Sequence, residues 1–449
     1  MTQSSLIYPQ IRKILSGPDA REKLQALFND LHPHDICVLI EDIPHDEIAQ
    51  IITAFGIPKG IELFEEFEDD DRKAISKFFS REWLADILEE MSPDERADFV
   101  KVLSEDRLEE VLPLVAQAER NDIKRLLQYK EDTAGSILTT EYALLPPQIT
   151  VREALERLRL QAPNRETIYY IYVVDEERRL LGFVSLKDII TSPSHSLISD
   201  IMHKHVISVS VDEDKEVVAK KLADYDFLAI PVVDNDTKLV GIVTVDDVVD
   251  VVIEETTEDM LRYGAAGEHI DYMESGPLSI ARQRILWLSV LVFVGFISGW
   301  VIERFAAQLQ AVVALAFFIP LLSGSSGNAG TQSSTVVIRG LATGEVSIRD
   351  LSAVFKKEIV TGIIVGSGMA VLAALRAVIM NKSPLLGVTV GLAMIVAVTI
   401  AATLGALLPI LFKKMKLDPA LMSGPFITSI VDVITIFVYF RIAAFIFSH

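Results

Sequence analysis

The carboxyl-terminal part of the chain alternates long apolar runs with short charged segments. A helix needs about 20 apolar residues to cross the hydrocarbon core of a bilayer. Stretches such as 285–302 and 383–412 contain no charged residue, and several such stretches follow one another. We therefore predict a polytopic α-helical membrane domain over 276–449 with five spans, at about 285–303, 310–338, 356–378, 385–412 and 420–446.

Residues 1–130 have the periodicity of short amphipathic helices. Apolar residues recur three or four positions apart, as at Phe99 and Leu103. A proline followed by carboxylates, as in Pro93-Asp94-Glu95, is typical of a helix start. We predict an acidic, all-α, superhelical N-terminal domain over these residues.

Residues 131–250 contain a duplicated α/β pattern. The segment Ile171–Asp175 matches Ile230–Asp234, and Gly182–Asp188 matches Gly241–Asp247, both at an offset of 59 residues. Each copy reads as strand, turn, strand, cap and helix, which indicates an internal duplication. The two copies cover about 136–191 and 200–250.

The helix of each copy is preceded by a capping signal. Ser185 and Thr244 stand at the predicted N-cap positions, with Asp188 and Asp247 three residues later. The pair of copies resembles a tandem cystathionine-β-synthase (CBS) domain, a regulatory module that often binds adenine nucleotides. The resemblance implies a nucleotide cleft lined by Tyr170, Lys187, Asp188, Phe227 and Asp246. The residues alone leave a structural alternative open, in which Asp188 and Asp246 only cap helices and Tyr170 only packs.

Residues 251–275 connect this module to the membrane domain. An apolar segment ending at Ile253 gives way to acidic residues, and a helix is predicted as far as Tyr263, where Gly264 interrupts the pattern. A helix between a sensor and a pore is placed to transmit force. A solvated connector would have the same pattern.

Charge is divided unevenly along the chain. Residues 1–275 carry 57 acidic and 29 basic residues, a net charge of −28, whereas residues 276–449 carry a net charge of +7. An acidic surface of this density repels phosphate, so we expect no nucleic-acid partner. Cys37 is the single cysteine, which excludes a disulfide framework and a thiolate metal cage.

Basic residues accumulate on one side of the predicted spans. Arg282 and Arg284 precede the first span, and Lys413, Lys414 and Lys416 lie between the fourth and the fifth. The positive-inside rule then places the acidic part in the cytoplasm. We expect a multi-pass protein of the plasma or inner membrane, with its C-terminus outside.

A polar, glycine-rich stretch lies within the second predicted span. Lipid cannot satisfy freed backbone groups, so a break at Pro320 would require water or protein contacts around this stretch. The candidate pore-lining residues are Pro320, Gly324, Gly327, Asn328 and Gln332. Close helix packing through small residues is the alternative.

Asp432 is the one carboxylate deep inside a predicted span, which marks it as a candidate functional site. Thr428 and Gly424 lie one and two turns earlier, on the same predicted helix face. The spans contain no histidine or cysteine, and oxygen ligands favour Mg²⁺, Ca²⁺ or Mn²⁺. A largely hydrated Mg²⁺ would suit carbonyls, hydroxyls and one carboxylate per subunit. A protonated structural aspartate is the alternative.

The order of these parts resembles the MgtE family of magnesium channels. The motifs that carry the resemblance are the run from Pro320 to Ser333 and Asp418-Pro-Ala-Leu-Met-Ser-Gly-Pro-Phe-Ile-Thr428, followed by Asp432. It implies a lipid-embedded homodimer with the pore between two membrane domains, Mg²⁺ as cargo and gating ion, and ATP or another adenine nucleotide as a regulator. The implied regulatory metal ligands are Asp94, Asp98, Glu216, Asp226, Asp247, Asp250, Glu255, Glu258, Asp259 and Asp418.

The sequence leaves three functional hypotheses open. The first is a Mg²⁺-gated channel whose acidic domains repel each other until bound Mg²⁺ bridges them. The second is a cation-coupled secondary carrier, because midplane binding sites occur in transporters too. The third is a membrane-anchored nucleotide sensor, which would not need Asp432. An enzyme is not expected, because no G-x-x-x-x-G-K-[ST] loop and no Ser/His/Asp set is present in the spans.

Overall fold

The computed structural model describes residues 3–17, 19–28, 30–265, 275–419 and 424–447. The chain divides into two units, Met1–Ile253 and Glu254–His449.

The first unit begins with a series of short helices. They are α1 (Gln3–Leu15), α2 (Ala20–Phe28), α3 (Pro33–Ile40), α4 (His45–Phe55), α5 (Lys59–Glu65), α6 (Asp69–Ser76), α7 (Arg81–Glu90), α8 (Pro93–Val102), α9 (Glu105–Val111) and α10 (Gln117–Leu126). Helices α2, α4, α6, α8 and α10 pack in succession, as in a superhelix. Their core includes Phe64, whose ring centroid lies 5.0 Å from that of Phe99. The predicted all-α superhelix is confirmed.

The CBS part of the first unit contains two small sheets. Its elements are β1 (Tyr142–Leu145), α11 (Val151–Gln161), β2 (Thr167–Val174), β3 (Leu180–Ser185), α12 (Leu186–Thr191), α13 (Ile198–Ile201), β4 (Val209–Ser210), α14 (Lys215–Tyr225), β5 (Ala229–Val233) and β6 (Leu239–Thr244), with a 3-10 turn at Ala162–Asn164. The sheets have the orders β1-β2-β3 and β4-β5-β6, each with one parallel and one antiparallel pair.

Strand register and caps both repeat at the predicted offset. Tyr170 pairs with Ser185 in one sheet, and Ala229 pairs with Thr244 in the other. Ser185 forms a complete capping box with Asp188. The Thr244 hydroxyl and amide both donate to the Asp247 carboxylate. The duplication and the capping are therefore confirmed.

Helix α15 (Val245–Tyr263) runs from the first unit into the second and ends at the predicted residue. The second unit continues with α16 (Pro277–Arg304), α17 (Ala306–Ala311), a 3-10 helix (Val313–Phe318), α18 (Ile319–Ala342), a 3-10 turn (Ile348–Asp350), α19 (Leu351–Asn381), α20 (Pro384–Lys414) and α21 (Gly424–Phe447). Helix α20 is the most buried, and α18, α19 and α21 pack around it.

Five helices of the described residues have the length and composition to cross a membrane, as predicted. The first begins at Pro277 rather than 285, because the helix continues past Arg282 and Arg284 at its polar end. Apolar runs locate the hydrocarbon segment of a span, not the ends of its helix.

Pro320 marks the change from the 3-10 helix Val313–Phe318 to the α-helix α18, not a break inside the polar stretch. Pro320 lies in the first turn of α18, where its missing N–H disrupts nothing, and the helix continues through the glycine-rich stretch. The glycines instead allow close helix approach. A Cβ built on Gly405 of α20 would lie 2.1 Å from the Gly330 carbonyl oxygen of α18.

Gly405→Ala should therefore destabilise the membrane unit by about 1–3 kcal/mol, because its methyl group must push two backbones apart. The measurement is the thermal unfolding midpoint of the full chain in detergent. Gly368→Ala is the control, since nothing lies within 4 Å of its added Cβ. Equal midpoints for the two variants would contradict the close packing.

Candidate functional site

Helices α18 and α21 are joined on both sides of Asp432. The hydroxyl groups of Ser326 and Thr435 are 2.8 Å apart, and those of Thr331 and Thr428 are 3.3 Å apart. Asp432 lies between Thr428 and Thr435 along α21. Both ends of its segment are thus held against α18.

The Asp432 carboxylate has an unsatisfied oxygen. Among the described residues, its Oδ1 and the Ser323 Oγ are buried and have no hydrogen-bond partner. The Ser323 hydroxyl group lies near the Asp432 carboxyl group, but outside hydrogen-bond geometry. A buried acceptor without a partner indicates an ion or a water molecule at that place. This all-oxygen pair therefore fits a hydrated divalent cation.

The predicted lining residues separate into two groups. Gly324, Asn328 and Gln332 recur every four residues and form an exposed face of α18. Gly327 is buried instead, because a Cβ there would lie 2.8 Å from Thr428 Cγ2. Pro320 only starts the helix.

Gly424 and Thr428 lie at the beginning of α21, as their sequence spacing requires. The Thr428 hydroxyl donates to the Gly424 carbonyl oxygen at 2.9 Å. The side chain of Tyr263, at the end of α15, reaches the same place. Its hydroxyl donates to the Thr331 carbonyl oxygen at 3.2 Å and lies 2.7 Å from Thr335 Oγ1.

The predicted metal ligands Glu258 and Asp418 are joined by an arginine. Arg262 Nη1 lies 2.8 Å from Asp418 Oδ2, and its Nη2 pairs with Glu258 Oε1. A metal ion that bridges these two oxygen atoms would have to displace the guanidinium group. These two residues therefore fit a shared metal less well than the resemblance implies.

An acidic cluster lies where the helical domain faces the CBS pair within the first unit. It consists of Glu65, Asp94, Glu95, Glu166 and Asp247. Burial, together with the charge of Asp94, raises the pKa of Asp247 to about 8. Burial and neighbouring carboxylates raise the pKa values of Glu65 and Glu166 to about 7. One Asp94 oxygen is buried without a partner among the described residues.

Of the remaining predicted ligands, Asp98 lies beside the acidic cluster, where its charge acts on Asp94 and Glu95. Asp98 pairs with Lys101 at 2.6 Å. Glu216 and Asp226 lie at opposite ends of α14, about 15 Å apart at a rise of about 1.5 Å per residue, so one ion cannot bind both. Asp250, Glu255 and Asp259 lie along α15. Within the described ranges, no three His, Cys, Asp or Glu side chains are arranged to hold a metal.

The predicted nucleotide cleft is nearly closed. The Tyr170 and Phe227 ring centroids are 6.4 Å apart, and a cavity of about 20 Å³ lies between the aromatic side chains. Asp188 caps α12 and lies 3.1 Å from His203 Nε2, while Lys187 is exposed. The negative charge of Asp246 helps to raise the pKa values of Asp247 and Glu166. Asp246 therefore lies beside the acidic cluster rather than in the nucleotide cleft.

Several residues of these sites were not predicted. Arg262 follows Glu258 by four residues, and this spacing is a sequence signal for an ion pair. Ser323 stands one residue before Gly324, in the polar stretch itself. Nothing in the pattern pointed to Tyr263, because its partners are distant in sequence.

Three sequence-family profiles match the chain. The profile described as a divalent cation transporter matches residues 319–442, that of the MgtE intracellular N domain matches 31–132, and that of the CBS domain matches 134–195 and 198–254.

Individual relatives agree with these matches. The magnesium transporter MgtE of Thermus thermophilus is 42% identical over 322 residues, which are 72% of this chain and 71% of the relative. That of Bacillus subtilis is 40% identical over 327 residues, 73% of this chain and 72% of the relative. A crystal structure of the cytosolic domain of the Mg²⁺ channel MgtE in complex with ATP has a TM-score of 0.51 at 36% identity, and covers 55% of this chain and 99% of that one.

A five-helix membrane domain, preceded by an acidic helical domain and a CBS pair, defines a divalent cation transporter with a soluble N-terminal part. The chain belongs to the MgtE family of magnesium transporters.

The raised carboxyl pKa values predict a pH-dependent stability of the first unit. A carboxyl group whose folded pKa exceeds its unfolded pKa binds more protons when folded, so its stabilising contribution is lost as the pH rises. For Asp247 the pH window of this loss runs from the ordinary pKa of the group, 3.8, to its raised pKa of about 8. In chelator, the unfolding midpoint of the full chain should therefore fall between pH 6 and pH 8 (roughly the upper half of that window).

Asp247→Asn should make this decline shallower, because the amide does not titrate. Asp224→Asn, an exposed residue of α14, is the matched control and should keep the parental slope. An unchanged slope in Asp247→Asn would show that this carboxylate is not the titrating group.

Proposed function

We propose that this chain forms a homodimeric, magnesium-selective channel that admits Mg²⁺ down its electrochemical gradient and closes when cytosolic Mg²⁺ binds its acidic domains. The observation that carries the proposal is the half-buried Asp432 side chain, which has one buried oxygen without a partner among the described residues. A lipid anchor or a pure sensor has no need for this group.

The chemistry of the Asp432 site suits Mg²⁺. Mg²⁺ releases its water ligands reluctantly, so a site for it keeps several waters and provides oxygen acceptors around them. Asp432 supplies charge, and the hydroxyl group of Ser323 supplies a polar neighbour. The exposed face of Gly324, Asn328 and Gln332 is available to line the path between two subunits.

The acidic cluster supports closure by Mg²⁺. Asp94 comes from α8 of the helical domain and Asp247 from the CBS pair, so an ion between them would join the two domains. The pKa of Asp247, raised to about 8, means that a proton on this group offsets part of the repulsion when no metal is bound. Mg²⁺ would replace that proton and bias the equilibrium toward the closed state by its differential affinity for that state.

The direction of transport follows from orientation. The basic segments around Arg282 and Lys413 favour a cytoplasmic N-terminal part and an external C-terminus. The membrane potential then drives inward movement, at about 2.3 kcal/mol per charge per 100 mV.

Asp432→Asn should lower Mg²⁺ uptake at least about tenfold, equivalent to about 1.4 kcal/mol or more, because the amide keeps the shape but loses the charge. Uptake is measured in cells that lack other Mg²⁺ systems and in liposomes. Glu345→Gln, an exposed carboxylate on a loop of the same unit, is the control and should retain uptake. Full uptake by Asp432→Asn would refute the pore site, and saturable flux coupled to protons or Na⁺ would favour a carrier.

We further propose that an adenine nucleotide binds between Tyr170 and Phe227 as a regulator. A relative of known structure was solved with ATP. The present cavity of about 20 Å³ is too small for a nucleobase, since ligand sites usually measure about 300–1,000 Å³. One of the two rings must therefore move, and the base would then stack on it.

Tyr170→Ala should weaken ATP binding to the full chain by about tenfold, because one aromatic stacking contact with a base is worth about 1–3 kcal/mol. Calorimetry measures the affinity. Tyr169→Ala is the matched control, because Tyr169 is the preceding residue and its side chain is 62% exposed. Equal affinity in both variants would remove Tyr170 from the site.

A further inference from the structure

We infer that the end of α21 and the segment Ala306–Phe318 form a binding site for an anionic phospholipid, whose phosphate is held by Arg441. The segment Ala306–Phe318 contains α17 and the 3-10 helix that follows it. The cavity between this segment and α21 is called the headgroup pocket below. All of its residues belong to the second unit, and none of them belongs to the proposed ion path.

Arg441 lies on an exposed, otherwise apolar face of α21. It follows Asp432 by nine residues, which is about two and a half helical turns, so the two side chains leave the helix in opposite directions. Phe437 and Phe445, one turn before and one turn after Arg441, are 49% and 73% exposed. Arg441 is also exposed. The charge therefore belongs to the outward side of the span and not to the side of Asp432.

The guanidinium group of Arg441 forms no hydrogen bond and no ion pair with the described residues. A charged side chain on a membrane span is costly, and near the end of the span a long side chain extends toward the lipid headgroups. Arg441 lies six residues before the end of α21, about 9 Å at a rise of about 1.5 Å per residue. Its side chain therefore reaches toward the level of the lipid phosphates.

The headgroup pocket combines one cation with an apolar wall. It has a volume of about 410 Å³, and Arg441 and Gln308 are the polar side chains among its described lining residues. The rest of the lining is apolar and includes Leu315, Ala444 and Phe445. Ligand sites usually measure about 300–1,000 Å³. This lining suits a molecule that carries a phosphate next to a hydrocarbon chain.

Buried contacts hold the two sides of the headgroup pocket together. The Tyr439 hydroxyl donates to the Leu315 carbonyl oxygen at 3.1 Å, and both residues are 1% exposed. The rings of Phe305 and Phe440 stack with their centroids 5.2 Å apart, directly before the segment Ala306–Phe318 begins. The pocket is therefore formed without a ligand, and binding requires little ordering of the chain.

The lining also favours one kind of headgroup. A guanidinium group binds phosphate through two parallel N–H···O hydrogen bonds, and the Gln308 amide is a further donor. Among the described residues, no carboxylate lines the pocket, so the ammonium group of an ethanolamine headgroup would have no counter-charge there. The expected ligand is a phospholipid whose only headgroup charge is its phosphate, such as phosphatidylglycerol.

The experiment counts ligands on the full chain in detergent by native mass spectrometry. Phosphatidylglycerol, phosphatidylethanolamine and glycerol 3-phosphate are titrated separately, since the last compound supplies the phosphate without the hydrocarbon chains. We expect one tightly bound phosphatidylglycerol per chain and several-fold weaker binding of phosphatidylethanolamine. Glycerol 3-phosphate should not bind in the same concentration range. Mg²⁺ transport is not measured, so the outcome for Asp432→Asn has no influence on this test.

Arg441→Gln should weaken the binding of phosphatidylglycerol by about tenfold, because the charge-assisted hydrogen bonds to the phosphate are lost. Arg304→Gln is the matched control and should keep the parental affinity. Arg304 is an exposed arginine at the end of α16, next to Phe305, and does not line the pocket. Ala444→Phe keeps every charge but fills the pocket, so it should also weaken binding.

Equal lipid affinity in Arg441→Gln and Arg304→Gln would overturn the inference, because the attraction would then come from the overall charge at this end of the unit. Equally tight binding of glycerol 3-phosphate would overturn it too, since a free phosphate would then suffice. A changed oligomeric state in Arg441→Gln with unchanged lipid affinity would show that a second copy of the chain covers the pocket instead. If Arg441→Gln does not fold, Ala444→Phe decides, and parental affinity in that variant would remove the pocket as the site.

Discussion

A carboxylate can be buried only with a proton, a cation or a full set of hydrogen bonds, because its charge is costly to remove from water. This constraint governs each candidate site of the chain. Asp247 is held with a raised pKa beside Asp94. Asp418 is held by Arg262. Asp432, like Asp94, has a buried oxygen without a partner among the described residues, and a cation from outside the chain is its proposed partner.

These ways of holding a carboxylate in the fold differ in how they respond to Mg²⁺. A proton can be displaced by a metal ion, so the acidic cluster suits the proposed sensing of Mg²⁺. A guanidinium group is tethered and permanently charged, so it pairs with Asp418 without an ion from solution.

Small residues determine how closely the membrane helices pack around the pore site. The Gly330 carbonyl of α18 touches Gly405 of α20, and Gly327 of α18 receives Thr428 of α21. Two hydroxyl pairs, Ser326 with Thr435 and Thr331 with Thr428, then align α18 and α21. Because glycine stands on one side of these contacts, the helices approach closely, and the hydroxyl pairs then set how α21 lies against α18.

The sequence by itself determined the parts that depend on local periodicity: the five spans, the end of α15 at Tyr263, the duplicated strands and the Ser185–Asp188 cap. It also singled out Asp432, because a charge in an apolar run is visible without a structure. It left the role of Pro320 open, since a proline in the first turn and a proline inside a helix look alike in a sequence. Only the tertiary structure decided that Asp94 meets Asp247, that Arg262 meets Asp418 and that Tyr263 meets Thr331. These pairs are separated by many residues, and their contact depends on how whole helices and domains pack, which no local pattern encodes.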